Sequence, residues 1–226
     1  MSLSHSPQIV TDGLVLCLDA ANQRSYPKSG TTWSDLSGNG NHGALTNMEN
    51  NFDAGNKGSL SFDGSNERVA ISDHTSIRLS TTGTISMFVN PATRSDTYQT
   101  FLSKNNGNYD TGYEIGIDQR SSKNNGLAIR PGSSSNIQNF FTGYLDTWVH
   151  VSVVLNGSSV LAYRNGEFFA THAQTTSSTT ATLQIGSRGT GSLFVNCKFA
   201  NIMIHNRALT GDEVRQNYLA TRGRYK

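Results

Sequence analysis

Glu114 and Asp118 stand four residues apart in Tyr113-Glu-Ile-Gly-Ile-Asp118. The alternation of that run predicts a strand carrying both carboxylates on one face, with Gly116 between them. Paired carboxylates are what glycoside hydrolysis needs, one as acid and one as nucleophile or base. The spacing is unfavourable. Residues i and i+4 of a strand lie about 13 Å apart along the backbone, whereas a retaining enzyme holds its two carboxyl groups about 5–5.5 Å apart. Only long side chains leaning together around a supporting group would close that gap, and Gly116 supplies none. An exposed strand face is the plainer reading, and hydrolysis through Glu114 and Asp118 the sharper one.

A second pattern points to a cation. Asp35, Ser37 and Asn39, followed by Gly40, repeat the opening of an oxygen-ligand loop for calcium. The position where a bidentate Glu would close such a loop is Thr46, so one carboxylate is supplied locally. The alternative is a Gly/Asn-rich turn held by Asx-type hydrogen bonds.

Two loops carry the mixture that sugars require, an aromatic face for the pyranose ring and amide or carboxylate groups for its hydroxyls. Lys104-Asn-Asn-Gly-Asn-Tyr-Asp110 sets Tyr109 among Asn105, Asn108 and Asp110. Arg130-Pro-Gly-Ser-Ser-Ser-Asn136 leads to Asn139, Phe140, Phe141 and Tyr144, of which the two Phe also read as strand core. The expected ligand-binding residues are Asn105, Asn108, Tyr109, Asp110, Arg130 and Asn136. His150 reads as a packed or hydrogen-bonded sheet residue. His42, His74, His172 and His205 lack zinc-ligand spacing, and neither a G-x-S-x-G elbow nor a phosphate-cradling loop is present.

These residues sit in a chain of 226 residues with net charge +2, 15% charged residues, 22 Gly and 4 Pro. That composition suits short strands joined by tight polar turns, and the length suits one large all-β core. No basic stripe interleaved with aromatics supports nucleic-acid binding. No apolar run is long enough for membrane insertion, and no signal-peptide core follows Met1. Cys17 and Cys197, both in apolar contexts, read as free buried thiols. A single domain over 1–226 is expected, with residues 1–8 and 222–226 as loose ends.

Strands are predicted at Leu14–Asp19, Ser59–Asp63, Arg68–Ile71, Thr84–Val89 (stopping before Pro91), Thr100–Ser103, Tyr113–Asp118, Gly126–Arg130 and from Val149 onward. Gly64-Ser-Asn66 suggests a hairpin between the second and third of these. Asn156-Gly157 and Asn165-Gly166 predict type I′ turns. Near the end, Thr210 and Glu213 form a capping box with Leu209 and Val214 as hydrophobic staple, which predicts one short helix.

In this order the motifs resemble the laminin G-like, or concanavalin A-like lectin/glucanase, jelly roll over nearly the whole chain. Leu60-Ser-Phe-Asp-Gly-Ser65 is similar to its Phe-Asp-Gly segment, and Thr84-Ile-Ser-Met-Phe-Val-Asn-Pro91 to its Ile-Ser-x-Trp-Val-x-Pro strand, with Phe88 where Trp is usual. Trp148-Val-His150 with Tyr163-Arg-Asn-Gly166, then Asn206-Arg-Ala-Leu-Thr210 with Asp212-Glu213, resemble its remaining motifs. Cys197 and His205 depart from its usual Gly and Tyr. The N-terminal Leu18-Asp-Ala20, Tyr26-Pro27 and Gly30–Asn41 segments are similar to the version found in tailed-phage structural and fibre proteins.

The resemblance implies an all-β, two-sheet antiparallel β-sandwich with one short C-terminal helix. It implies a lectin-like module that binds a glycan or cell-surface polysaccharide, on a virion or extracellular surface, alongside other virion proteins. It also implies a superfamily in which a calcium ion is often held, and in which glucan-cleaving relatives carry carboxylates at alternate positions of one strand. The alternatives are a purely structural virion decoration domain and a glycan-cleaving enzyme using Glu114 and Asp118. Trp148, the two Asn-Gly turns and an Asn206–Leu209 strand read as scaffold.

Overall fold

The computed structural model describes residues 7–49, 51–55, 58–95, 97–106, 111–130, 136–189 and 191–225. In chain order the strands are β1 (Leu14–Asp19), β2 (Thr32–Trp33), β3 (Gly43–Thr46), β4 (Phe52–Asp53), β5 (Ser59–Asp63), β6 (Arg68–Ile71), β7 (Thr82–Pro91) and β8 (Tyr98–Lys104). There follow β9 (Tyr113–Asp118), β10 (Gly126–Arg130), β11 (Asn136–Ile137), β12 (Val149–Asn156), β13 (Ser159–Arg164), β14 (Glu167–Ala173), β15 (Leu183–Ile185) and β16 (Asn196–His205), then the helix α1 (Gly211–Thr221).

Two antiparallel sheets face each other. The front sheet runs β11-β10-β9-β8-β15-β6-β3-β2, and the back sheet runs β14-β13-β12-β7-β16-β5-β4 with β1 also on β16. Alternate residues of each strand meet in the interior. Phe62 of β5 and Phe199 of β16 pack edge-on at 5.0 Å, and Phe101 of β8 closes on Phe199 from the front sheet at 6.0 Å. A bulge in β8 between Thr100 and Leu102 turns two consecutive residues, Phe101 and Leu102, into that core. The outer face of the back sheet is covered by α1, which buries Val214 with Leu209 and Tyr163, and sets Tyr218 beside Phe88.

The helix is held as expected. Thr210 Oγ1 accepts the Glu213 N–H, and the Glu213 carboxylate accepts the Thr210 N–H. Both cysteines are free and buried. Asn165 and Gly166 both take positive φ, the type I′ pattern.

Five expectations need correction. Ser59–Asp63 and Arg68–Ile71 do not form a hairpin: β5 lies in the back sheet and β6 in the front, so Gly64–Glu67 crosses the sandwich edge and both strands bury their apolar residues from opposite sides. Strand β7 runs through Pro91, whose missing N–H falls beyond Val89, where β12 has ended. The turn after Asn156 is Gly157-Ser158 with only Gly157 at positive φ, a type II′ turn. The closing strand ends at His205, and Asn206–Leu209 leads into the helix. The tail is not loose through residue 225, because Arg222–Arg224 forms a 3-10 turn that buries Tyr225 against Phe88 and Trp148.

Candidate functional site

Strand β9 alternates cleanly. Tyr113, Ile115 and Ile117 enter the core, which turns Glu114, Gly116 and Asp118 to the outer face of the front sheet. Register sets Glu114 beside Arg130 of β10 and Ser103 of β8. That face is not exposed as the plain reading expects: Glu114 is fully buried and Asp118 nearly so.

Glu114 is the hub of a polar cluster. Arg188 donates to it twice, Nε to Oε2 at 2.7 Å and Nη2 to Oε1 at 2.5 Å. Asn105 Nδ2 donates to Oε2 at 2.9 Å, Thr100 Oγ1 lies 3.3 Å from Oε1, and the Tyr98 hydroxyl donates to Oε1. The Arg130 guanidinium stands 3.7 Å away. Both guanidinium groups contact the Tyr98 ring, that of Arg130 4.9 Å and that of Arg188 5.3 Å from its centre. Burial works to raise the Glu114 pKa, but Arg188, Tyr98 and Asn105 outweigh it and hold the carboxyl below its ordinary range. Burial, with the Glu114 charge beside it, pushes the Tyr98 phenol up, so that hydroxyl stays a donor.

An ionised carboxylate with its lone pairs filled is suited neither to protonating a leaving group nor to attacking a sugar. Asp118 is likewise engaged by Arg120 at 2.8 and 2.6 Å. A side chain at Gly116 would stand 2.3 Å from the Gln99 carbonyl and 2.9 Å from the Tyr98 hydroxyl, so a supporting carboxylate has no room between them. Chemically the cluster is an anchor that fixes Arg188, Arg130, Tyr98 and Asn105.

Beside it opens a cavity of about 430 Å³ lined by Asn105, Asn106, Thr180, Thr182, Gln184 and Gly189. Gln184 reaches it because Leu183 and Ile185 on either side point into the core. The Gln184 side chain is 4% exposed, and its Oε1 has no hydrogen-bond partner. Lys104, fully buried, braces the far wall by donating from Nζ to the Ala181 carbonyl at 2.5 Å and to Asp73 at 2.7 Å. The lining offers amides and hydroxyls with no ionised side chain.

Size alone does not select this cavity. Spaces of about 560 Å³ beside Tyr26, Lys28 and Met48 and about 570 Å³ beside Phe52, Asp53 and Glu67 are larger. Neither is lined by a buried polar atom that lacks a partner.

The expected site residues separate. Asn105 and Arg130 meet at Glu114, while Asn108, Tyr109 and Asp110 lie outside the described residues. Asn136 pairs with Ala128 at the sheet edge. Phe140 and Phe141 are fully buried and offer no open face to a sugar, and the Arg164 guanidinium stands over the half-buried Tyr144 ring at 4.6 Å. Gln184, Arg188 and Tyr98 escaped the sequence reading. The one local signal was Gln184 alternating with Leu183 and Ile185.

The Asp35 loop does not fit a calcium ion. Asp35 Oδ1 accepts from the N–H groups of Cys17 and Ser37, and Oδ2 from Ser37 Oγ and the Asn41 N–H, between 2.7 and 3.0 Å. Asn39 donates to Leu14 O and Ser37 Oγ. This is the Asx-type turn, with every carboxylate lone pair already taken. Among the described residues no group of three or more His, Cys, Asp or Glu could hold a metal, and no helix is long and apolar enough to cross a membrane.

Comparison with known proteins bears on the fold. The binding domain of Paraclostridial Mosquitocidal Protein 1 superposes with TM-score 0.67 at 16% identity, over 92% of this chain and 52% of that one. Trypanosoma rangeli sialidase in complex with the inhibitor DANA gives TM-score 0.66 at 17% identity, over 96% and 35%. The receptor binding domain of botulinum neurotoxin type G gives 0.62 at 14%, over 92% and 51%. The chain thus spans about half the length of the toxin domains and about a third of the sialidase. No curated protein matches the sequence significantly. A family model does match, over residues 63–215 and hence more than half the sequence, and it agrees with the two facing sheets. The chain belongs to the concanavalin A-like lectin/glucanases superfamily.

Proposed function

We propose that the chain is a non-catalytic carbohydrate-recognition module whose binding surface is the outer face of the front sheet, centred on the Gln184 cavity. The observation that carries this reading is the Gln184 amide oxygen, buried and unpartnered on a residue that lines a cavity of amides and hydroxyls. A buried acceptor left alone is costly, and a ligand hydroxyl is the donor that relieves it. The uncharged lining favours a neutral sugar, with the Glu114 cluster as the rigid wall beside it. Binding domains of toxins among the structural neighbours support a recognition role at the level of fold.

The setting we propose, a virion or other extracellular surface shared with further virion proteins, rests on the N-terminal resemblance to phage structural proteins. A purely structural decoration domain is the competing role. A glycan array of neutral and acidic saccharides separates the two. Neutral hits are expected, and Gln184→Leu should weaken them about tenfold, the loss of one well-made hydrogen bond. Silence across the array favours the structural role, and undiminished binding by Gln184→Leu removes the cavity from consideration. Incubation with labelled glucans and galactans is expected to release nothing. Release that Glu114→Gln abolishes would replace recognition by hydrolysis.

A further inference from the structure

A second cavity, on the opposite side of the sandwich, is also lined by a residue with a buried, unpartnered polar group, the Trp148 indole N–H. It encloses about 220 Å³ between the back sheet and the end of α1, walled by Phe88, Trp148, Asn165, Tyr218, Arg222 and Tyr225. Its walls are aromatic on several sides. The Tyr225 ring stands 4.6 Å from Phe88 and 4.9 Å from Trp148, and Tyr218 stacks on Phe88 at 6.0 Å.

The Trp148 indole N–H is buried without a hydrogen bond, and Tyr225 as a whole is 8% exposed. Arg224, paired with Asp19 at 2.5 Å, also donates to the Tyr225 oxygen, which leaves the phenol its O–H to give. Burial pushes the phenol up to about 12, so it remains protonated. Asn165 has spent its Oδ1 on the His150 N–H at 2.9 Å, which leaves its amide NH₂. Arg222 is exposed, rests 5.5 Å from the Tyr218 ring and pairs with no carboxylate among the described residues.

The polar groups the cavity has to offer are therefore donors: an indole, a phenol, an amide NH₂ and a guanidinium. Among the described residues no carboxylate lines it. Its occupant must be rich in acceptors, negatively charged, and flat enough on one side to lie against aromatic rings. The volume equals roughly seven liquid waters, which suits one six-membered ring and excludes a nucleotide. We propose that this cavity binds a carboxylate-bearing sugar unit of the uronic acid type, its carboxylate against Arg222 and its ring against the aromatic walls. The inference does not rest on the Gln184 site, which lies on the other sheet.

The test uses the whole chain and tryptophan fluorescence, since Trp148 lines the cavity and Trp33 is sealed in the core. Methyl β-glucuronide is the probe, with methyl β-glucoside and benzoate as controls. A saturable change with a dissociation constant of about 1 mM or tighter is expected for the glucuronide, and binding at least tenfold weaker for both controls. Arg222→Gln, at an exposed position, should keep the wild-type melting temperature and erase the preference for glucuronide over glucoside. Tyr225→Phe should weaken the glucuronide about fivefold. Absence of a saturable change, equal binding of glucoside, equal binding of benzoate, or a preference that survives Arg222→Gln would each overturn the proposal.

Discussion

Arg188 clasps Glu114 through two parallel hydrogen bonds, 2.7 and 2.5 Å long, between a loop that follows β15 and the second residue of β9. Both side chains are almost free of solvent. Removing Arg188 leaves the buried Glu114 charge to Tyr98, Asn105, Thr100 and the more distant Arg130, which costs up to about 3–5 kcal/mol. Arg188→Met should therefore be destabilised by about that amount at neutral pH in urea unfolding. Because the Glu114 carboxyl is held below its ordinary 4.5, the stability it confers is present above that value and lost as pH falls through the folded one. The gap between wild type and Arg188→Met should narrow in acid. A gap that stays constant with pH would mean the pair contributes no charge-dependent stability.

His150 carries a different pH dependence. It is fully buried, lies 4.9 Å from the Phe88 ring, and neither ring nitrogen has a partner. Burial depresses its pKa from 6.5 to about 3. Between those values the unfolded state binds the proton and the folded state does not, so stability falls as pH falls, by at most about 1.4 kcal/mol per pH unit. His150→Phe should flatten this part of the acid limb and be neutral or stabilising at pH 7. Unfolding curves at pH 7, 6 and 5 supply the comparison.

Gln184→Leu should raise the melting temperature while it weakens binding. Removing a buried, unpartnered amide oxygen relieves about 1 kcal/mol, worth about 2–4 °C in a domain of this size. A stabilised variant that no longer binds marks a residue kept for its ligand. A destabilised one would mean that Gln184 has a packing role.

Gly116→Ala tests the wall between the two carboxylates of β9. The added methyl meets the Gln99 carbonyl at 2.3 Å, which should cost about 1–3 kcal/mol as overpacking does. Gly116→Asp should cost more and confer no glucan hydrolysis, measurable with the labelled substrates used for the wild type.

Sequence delimits β1, β5, β6, β9 and β10 to the residue, because each is an apolar run bounded by Gly, Asp or Arg or by turn residues. Alternation reports that a segment is a strand but not which sheet holds it, which is why β5 and β6 resemble a hairpin and yet lie in opposite layers. Two-residue strands such as β2, β4 and β11 exist only because a neighbour is present to pair with. Asn105, Arg130 and Glu114 each stood out in the sequence, but in three separate patterns, and only the adjacency of β8, β9 and β10 in the sheet joins them. Arg188 and Gln184 arrive from a strand far along the sequence, and no local pattern announces contact over that separation. The Asp35 loop misled for another reason. The Asp, Ser and Asn that ligate a cation are the same residues that close Asx turns, and the choice depends on which N–H groups the fold brings near.

The position of β16 has a kinetic consequence. It is the central strand of the back sheet, with β7 along one side and β5 and then β1 along the other. It is also the last strand in chain order. A chain emerging in sequence therefore displays β1, β5 and β7 as open edges until β16 arrives, and pairing distant segments takes roughly milliseconds to seconds. Open edges that can pair with other chains during synthesis follow from this order. Losing β16 would dismantle the back sheet at its centre instead of trimming its margin.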